Sequence, residues 1–300
     1  MRSMRGYITD IQRFSLNDGD GIRTTVFFKG CNLHCTWCHN PETIAFENEI
    51  MLYKNNCIGC GRCFNACSHG AQIVRDDEHV VEADRCVHCG ACVDVCFAGA
   101  LRPAAKVLDT DEIMDEAVQD ILYYEQSGGG VTLSGGEVFC QAEFARELVD
   151  KCRLRGISVA AETNLCYDFE KVSDIISKLD LLMFDIKLFD PEMHKKYTGA
   201  DNRLVFENAA AADMLGVPMI VRTPLIPGVT DDIENLTHIA EFVKGLKNVR
   251  YYELLNFNPL GGSKYKALGR RSDFAGAKPL SHEQLEKLRT ALADFNIKIS

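Results

Sequence analysis

The order of elements in the sequence predicts an α/β fold, a partial (β/α)6 barrel broken once by an inserted segment. Three observations predict it. Beyond residue 106, short apolar runs of strand length alternate with helical patterns, which calls for a parallel sheet joined by right-handed crossovers. Counted from Val26, six such units are present, short of the eight that close a TIM-type barrel. Between residues 50 and 106 the texture changes to closely spaced cysteines. Residues 1–49 and 107–300 are therefore expected to form the barrel, and residues 50–106 a small insert.

A first strand is expected within Met4–Phe14, followed by the dense turn Asn17-Asp18-Gly19-Asp20-Gly21-Ile22-Arg23. Thr24–Phe28 is the first strong strand. After the insert, Asp111–Tyr124 reads as a helix, with Ile113, Met114, Ala117, Val118, Ile121 and Leu122 at helical spacing and Asp109 or Thr110 as N-cap. Further strands are expected at Val131–Leu133, Ile157–Ala161, Leu181–Ile186, Val217–Thr223 and Val249–Leu255. Between and after them lie helices at Phe144–Leu154, Glu170–Leu179, Pro191–Tyr197, Phe206–Leu215, Asp232–Leu246 and His282–Phe295.

Composition excludes several classes. The apolar stretches are too short to span a membrane, and Met1–Phe14 lacks the apolar run of a secretory leader, so a cytoplasmic protein is expected. A net charge of −10 argues against general nucleic-acid binding. Eleven of the fourteen cysteines fall into three spaced sets, the pattern of metal thiolates in a reducing compartment rather than of disulfides. Of the other three, Cys152 shares a helical face with Phe144 and Leu148 and reads as a small buried hydrophobe; nothing marks Cys140 or Cys166 as reactive.

The first set, Cys31-x3-Cys35-x2-Cys38, follows the first strong strand. Three thiolates hold three irons of a [4Fe–4S] cube and leave the fourth open to bind a substrate. A zinc loop is the alternative, disfavoured because zinc sites favour paired C-x2-C units or Cys/His sets that complete a tetrahedron. The other eight cysteines repeat at an interval of 29 residues, Cys57-x2-Cys60-x2-Cys63-x3-Cys67 and Cys86-x2-Cys89-x2-Cys92-x3-Cys96. This is the bacterial two-cluster ferredoxin pattern, in which the fourth cysteine of each run serves the other cluster. Cys57, Cys60, Cys63 and Cys96 are expected to hold one cube, and Cys86, Cys89, Cys92 and Cys67 the second. Ser68 and Phe97 stand where a proline usually follows each fourth cysteine.

Unusual residues recur at the C-terminal ends of the expected strands, where α/β folds carry their sites. They are Cys31, Ser134-Gly135-Gly136-Glu137, Glu162-Thr163-Asn164, Asp185-Ile186-Lys187, Arg222 and Asn256-Phe257-Asn258. Gly135 and Gly136 let backbone come close to a bound amino group. Glu137 is either a ligand contact or a helix cap. Lys187 and Arg222 are partners for a carboxylate, although a salt-bridge network is the competing account. Asp185, Glu162 and Thr163 place oxygens near one point, where a small cation could bind.

Together these residues resemble the glycyl radical enzyme activating enzymes of the radical S-adenosylmethionine (SAM) group. The likeness rests on Asp18-Gly19-x-Gly21-Ile22-Arg23-Thr24, Trp37-Cys38-x-Asn40-Pro41-Glu42, Ser134-Gly135-Gly136-Glu137, Asp185-Ile186-Lys187 and Leu254–Tyr265. The insert is similar to that of the longer members. The resemblance implies an oxidoreductase that cleaves SAM reductively and removes a Cα hydrogen from a glycine of a partner enzyme. It implies a SAM cluster on Cys31, Cys35 and Cys38, and SAM contacts around Trp37 and His39, from Gly135, from Asp185 to Lys187, and from Asn258. A monovalent cation is implied near Glu162, Thr163, Met183 and Asp185. Three departures stand out: Asp20 and Val138 replace usual prolines, and Asn258 replaces a frequent histidine.

The cofactors expected are three [4Fe–4S] clusters, SAM and the cation. The partners expected are a glycyl radical enzyme with a C-terminal glycine loop and an electron donor such as flavodoxin or ferredoxin. The loop Asp18–Arg23 is expected to contact the incoming peptide, a plain tight turn being the alternative. Two competing functions are a radical SAM enzyme acting on a free small molecule and an iron–sulfur electron carrier.

Overall fold

The computed structural model describes residues 3–295 and 298–299. In chain order, β1 (Arg5–Ser15) and β2 (Arg23–Phe28) come first. The insert carries β3 (Ile50–Leu52), α1 (Arg62–Ala66), β4 (Gln72–Arg75), β5 (Glu78–Val81), α2 (Ala91–Asp94) and β6 (Leu101–Pro103). Then follow β7 (Lys106–Asp109), α3 (Thr110–Ala117), α4 (Ile121–Ser127), β8 (Gly130–Gly135), α5 (Ala142–Leu154), β9 (Ser158–Thr163) and α6 (Ser173–Ile176). The last part holds β10 (Leu181–Asp185), α7 (Pro191–Thr198), α8 (Arg203–Met214), β11 (Met219–Leu225), α9 (Ile233–Lys244), β12 (Val249–Asn256), α10 (Gly262–Ala267) and α11 (His282–Ala291). Among the described residues, no helix is long and apolar enough to cross a membrane.

One sheet of eight strands runs in the order β12-β11-β10-β9-β8-β2-β1-β7. The stretch from β12 to β2 is parallel throughout, which is the six-unit partial barrel expected from the alternation. Two antiparallel strands extend it: β1 pairs with β2 on one side and with β7 on the other. The sheet follows the two-residue period of a strand. Val131 and Leu133, Val159 and Ala161, Leu182 and Phe184, and Met219 and Val221 face the helices and form the main core. The intervening Ala160, Leu181, Met183 and Ile220 form a smaller cluster on the other, inner face. Helix α5 meets the sheet with Phe144, Ala145, Leu148, Val149 and Cys152, all buried at helical spacing.

Several local expectations shift. The helix expected over Asp111–Tyr124 is two helices joined by a 3-10 turn at Val118–Asp120. The chain tightens there as buried Asp120 turns its carboxylate to Arg13 and to Thr24 Oγ1. Asp109 is the N-cap of α3, in a capping box with Glu112. Over Glu170–Leu179 only the four residues of α6 are α-helical, because buried Val172 breaks the run with φ −131° and ψ −2°. Strand β7 and helix α10 both escape notice in the sequence: β7 is four residues long and α10 begins on a glycine, so neither shows a period.

The insert leaves and re-enters the barrel at one point. Ala104 N donates to Glu49 O at 2.8 Å, and Asn48 bonds both the N–H and the carbonyl of Ala105 at 2.8 Å. Just beyond, β3 and β6 pair antiparallel.

The β1–β2 loop closes the N-terminal end of the barrel from inside. Arg23 is buried, with Nε on Thr132 Oγ1 at 2.5 Å and Nη2 on Val131 O at 2.7 Å. Thr132 Oγ1 reaches Asp18 O at 2.7 Å, Thr25 Oγ1 reaches Asp18 Oδ2 at 2.7 Å, and Asp20 pairs with Arg250 on β12.

Candidate functional site

The cysteine loop after β2 is pinned along its length by backbone hydrogen bonds. Gly30 N donates to Thr43 O at 2.7 Å, Cys31 N to Ile44 O at 3.0 Å, His34 N to Thr198 O at 2.7 Å and Thr36 N to Tyr197 O at 3.0 Å. Buried Lys29 adds a bond from Nζ to Glu42 O at 2.6 Å. From the far side, Lys264 on α10 holds Asn40 Oδ1 at 2.6 Å and Glu42 Oε1 at 2.5 Å. Trp37 packs on Tyr197 and Phe274 with ring centroids 5.9 and 6.2 Å apart.

The loop borders a cavity of ≈ 260 Å³ at the C-terminal strand ends. Cys31, Cys35 and Cys38 line it, with Trp37 and His39 beside them. Gly135 and Gly136, Glu162 and Thr163, Met183 and Asp185, Lys187 and Arg222 form much of the remaining wall. Thirteen of the residues expected at the site from sequence are thus brought together.

Three are not. Glu137 is fully buried behind the cavity wall and does not line it, accepting from Asn164 N at 2.8 Å, Thr163 Oγ1 at 2.9 Å and Phe139 N at 3.1 Å. It is the cap, not the ligand contact. Asn258 is exposed and caps the following 3-10 turn by accepting from Leu260 N at 3.0 Å. Ile186 places its side chain in the main core. In the loop Asp18–Arg23, Arg23 and Asp18 bond to the strands beneath, and the neighbouring Asn17 O accepts from Arg222 Nη2 at 2.9 Å.

The glycines make room chiefly for neighbouring backbone. Gly135 has φ +111°, and a Cβ there would lie 2.3 Å from Phe28 N; one on Gly136 would lie 2.3 Å from Gly30 O. Neither clash can be relieved by a flexible side chain.

The two buried cations are already paired. Lys187 Nζ bonds Asp185, and Arg222 bonds Glu162 through Nη1 and Glu253 through Nε at 2.7 Å. Burial is the largest influence on each and works against the charge, but Asp185 with Cys35 and Cys31 outweighs it for Lys187, and Glu162 and Glu253 with Asp185 for Arg222, so both stay protonated. Ser134 Oγ donates to the other oxygen of Glu162. Every carboxylate proposed for a cation therefore has a fixed protein partner.

The cysteines fit a multi-iron group. Burial pushes the Cys38 thiol up to about 12 and raises Cys31 and Cys35 as well, so thiolates form here only against strong positive charge. Among the described residues, no three Cys, His, Asp or Glu side chains converge on a point suited to a single ion. That disfavours tetrahedral zinc. Asn164, placed at a strand end by the sequence but given no role there, lines the cavity and places Nδ2 3.7 Å from Cys31 Sγ.

In the insert, one cavity is lined by Cys57, Cys60, Cys63 and Cys96, and another by Cys67, Cys86, Cys89 and Cys92. These are the crossed sets read from the repeat.

A model of the Radical SAM superfamily matches residues 83–240, and one of a 4Fe-4S dicluster domain matches residues 56–100. The first match begins inside the insert and leaves out the Cys31–Cys38 loop. The chain is 38% identical over 301 residues to the trans-4-hydroxy-L-proline dehydratase activating enzyme of Clostridioides difficile, covering 99% of each chain. It is 38% identical to the (2S)-3-sulfopropanediol dehydratase activating enzyme of Klebsiella oxytoca, covering 89% of this chain and 87% of that one. It is 37% identical to the benzylsuccinate synthase activating enzyme of Thauera aromatica, covering 95% and 89%. A radical SAM methyltransferase from Sphaerobacter thermophilus shares the fold, with a TM-score of 0.54 at 13% identity over 98% of this chain and 76% of that one. Three cysteines at the open strand ends, an eight-cysteine insert and relatives matched nearly end to end lead to one assignment: the chain belongs to the radical SAM superfamily, among the activating enzymes of glycyl radical enzymes.

Proposed function

We propose that this chain installs a glycyl radical on a partner enzyme by removing one Cα hydrogen from a glycine in the partner's C-terminal loop. The supporting observation is the gathering of Cys31, Cys35 and Cys38 with Lys187 and Arg222 around one cavity. Bound there, a [4Fe–4S] cluster with SAM supplies a carbon radical by one-electron cleavage of a C–S bond. The protein's share is positioning. The three thiols give up their protons to become ligands, Lys187 and Arg222 offer positive charge to a carboxylate, and the Trp37 cluster keeps water out from behind the loop. A glycine has no side chain, so its Cα hydrogen can come within a reacting distance of ~3–3.5 Å.

The insert's two sets support two further clusters, three in all, carrying electrons inward from a protein donor such as flavodoxin or ferredoxin. A monovalent cation near Glu162, Thr163, Met183 and Asp185 would share its carboxylates with Arg222 and Lys187; SAM affinity rising with potassium at constant ionic strength is its expected sign. The thiolate-rich composition supports a cytoplasmic setting. The test is anaerobic: protein, SAM, reductant and a candidate partner are mixed and the electron paramagnetic resonance spectrum recorded. A doublet that vanishes when the partner's glycine becomes alanine is expected. Full-rate SAM consumption with a small metabolite alone, and no radical on any partner, would defeat the proposal.

A further inference from the structure

The cavities between the insert and the three-cysteine site form a series with shared walls. The cavity of Cys57, Cys60, Cys63 and Cys96 includes His79, whose ring nitrogens lie 3.9 Å from the sulfurs of Cys57 and Cys63. The other side of His79 lines a groove of ≈ 550 Å³ between the β4–β5 hairpin and the segment around α10. The groove ends on Arg270 and Arg271, which also line a neighbouring cavity bounded by Cys35. Cys35 in turn faces the cavity at the strand ends. The groove therefore adjoins the cavity of the Cys57 set directly and reaches Cys35 through one intervening cavity.

It is also basic in a chain whose net charge is −10. Lys54, Arg75, Lys266, Arg270 and Arg271 line it, against the single acid Glu78. Lys54 pairs with Glu78, Arg75 with Glu82 and Arg270 with Glu49, while Lys266 and Arg271 make no ion pair among the described residues. A local positive field on an otherwise acidic protein steers an acidic partner surface to this one place, while the negative remainder repels it elsewhere. A small anion could be attracted too, but it would bring no electron to either cysteine set.

We propose that this groove is the docking surface for an acidic one-electron carrier protein, which passes one electron to the insert beside His79 and is itself oxidised by one. The inference rests on the reading that SAM cleavage here is driven by a protein donor. A second candidate entry point exists, the apolar rim of exposed Ile58 and Phe97 near exposed Cys57 and Cys60, and the test separates the two.

Holoprotein with its clusters reconstituted is mixed rapidly with reduced flavodoxin, an acidic carrier, and in parallel with dithionite; cluster bleaching is followed. The double variant Lys266→Glu with Arg271→Glu is expected to slow reduction by flavodoxin at least tenfold at low ionic strength. Its rate with dithionite, iron content and SAM affinity stay as in the wild type. Added salt slows the wild type but not the variant. Arg75→Glu, on the opposite wall, moves the flavodoxin rate in the same direction. Unchanged flavodoxin rates in both variants overturn the proposal, as does a loss found instead in Phe97→Ser. SAM cleavage by wild type with dithionite is scored separately: its absence sinks the underlying activase reading, whatever the docking rates show.

Discussion

The side-chain amide of Asn164 lies 3.7 Å from the sulfur of Cys31 and is locked in that pose from three directions. Its Nδ2 also donates to Asn32 Oδ1 at 2.8 Å, its Oδ1 accepts from Cys166 N at 2.8 Å, and its backbone N–H donates to Glu137 at 2.8 Å. An N–H donor at a cluster thiolate favours the more negative, reduced state. Asn164→Asp, which keeps the shape but removes the donor, should lower the midpoint potential of the Cys31–Cys38 cluster at unchanged iron content. Potentiometric titration read by electron paramagnetic resonance checks this; an unmoved potential would leave Asn164 a merely structural residue.

Removing Lys187 takes a buried positive charge from the cavity wall and leaves Asp185, which is a third exposed, without its ion-pair partner. Lys187→Ala should therefore weaken SAM binding by ~2–5 kcal/mol, the cost of losing one partner of a desolvated charge pair with the SAM carboxylate. Calorimetric titration of SAM into the reconstituted variant is the measurement, and a wild-type dissociation constant would take Lys187 out of the site.

Burial raises Glu137 to about 7, against the hydrogen bonds that favour its ionised form. Its unfolded value is about 4.3. Between these two pH values the folded state holds a proton that the unfolded state has lost, so this group makes stability fall as pH rises through that window and then level off. Glu137→Gln does not titrate. The stability of wild type relative to the variant should shrink from pH 5 to pH 7 and hold constant above, as measured by chemical denaturation; a difference independent of pH contradicts the assignment.

Because the insert's sets are crossed, Cys67 should belong with Cys86 and not with Cys57. Cys67→Ser should lose about four of roughly twelve irons. Adding Cys86→Ser should then remove no more, whereas adding Cys57→Ser should remove about four more. Iron analysis after anaerobic reconstitution decides, and the reverse pattern would uncross the sets.

Lys264 bonds both Asn40 and Glu42 and so ties α10 to the cysteine loop. Lys264→Ala should speed chelator removal of iron from the Cys31–Cys38 set and leave the insert's iron alone. Equal rates in variant and wild type would mean the backbone bonds of the loop suffice to hold it.

What the sequence made legible was local or periodic. Cysteine spacing carries the cluster sets directly, and alternation placed six strand ends, hence the cavity wall, before any coordinates. What it hid was direction and long-range closure. Nothing in Ser134-Gly135-Gly136-Glu137 tells which way the carboxylate turns; that depends on Thr163 and Asn164 arriving from the next strand. Asp20 finds Arg250 across 230 residues, a closure that the local sequence of the glycine-rich loop does not show. Asn258 sits at the right place in the chain but caps its own turn, a local competition its residue type invites.

The insert begins and ends on the hydrogen bonds that join Asn48 and Glu49 to Ala104 and Ala105. An excursion whose two ends already touch imposes no strain on its host. The segment is therefore a cassette: a shortened chain linking residue 48 to residue 105 by a tight connection would keep β7 against β1, and a foreign cluster-bearing segment with ends equally close could be spliced into the same seat.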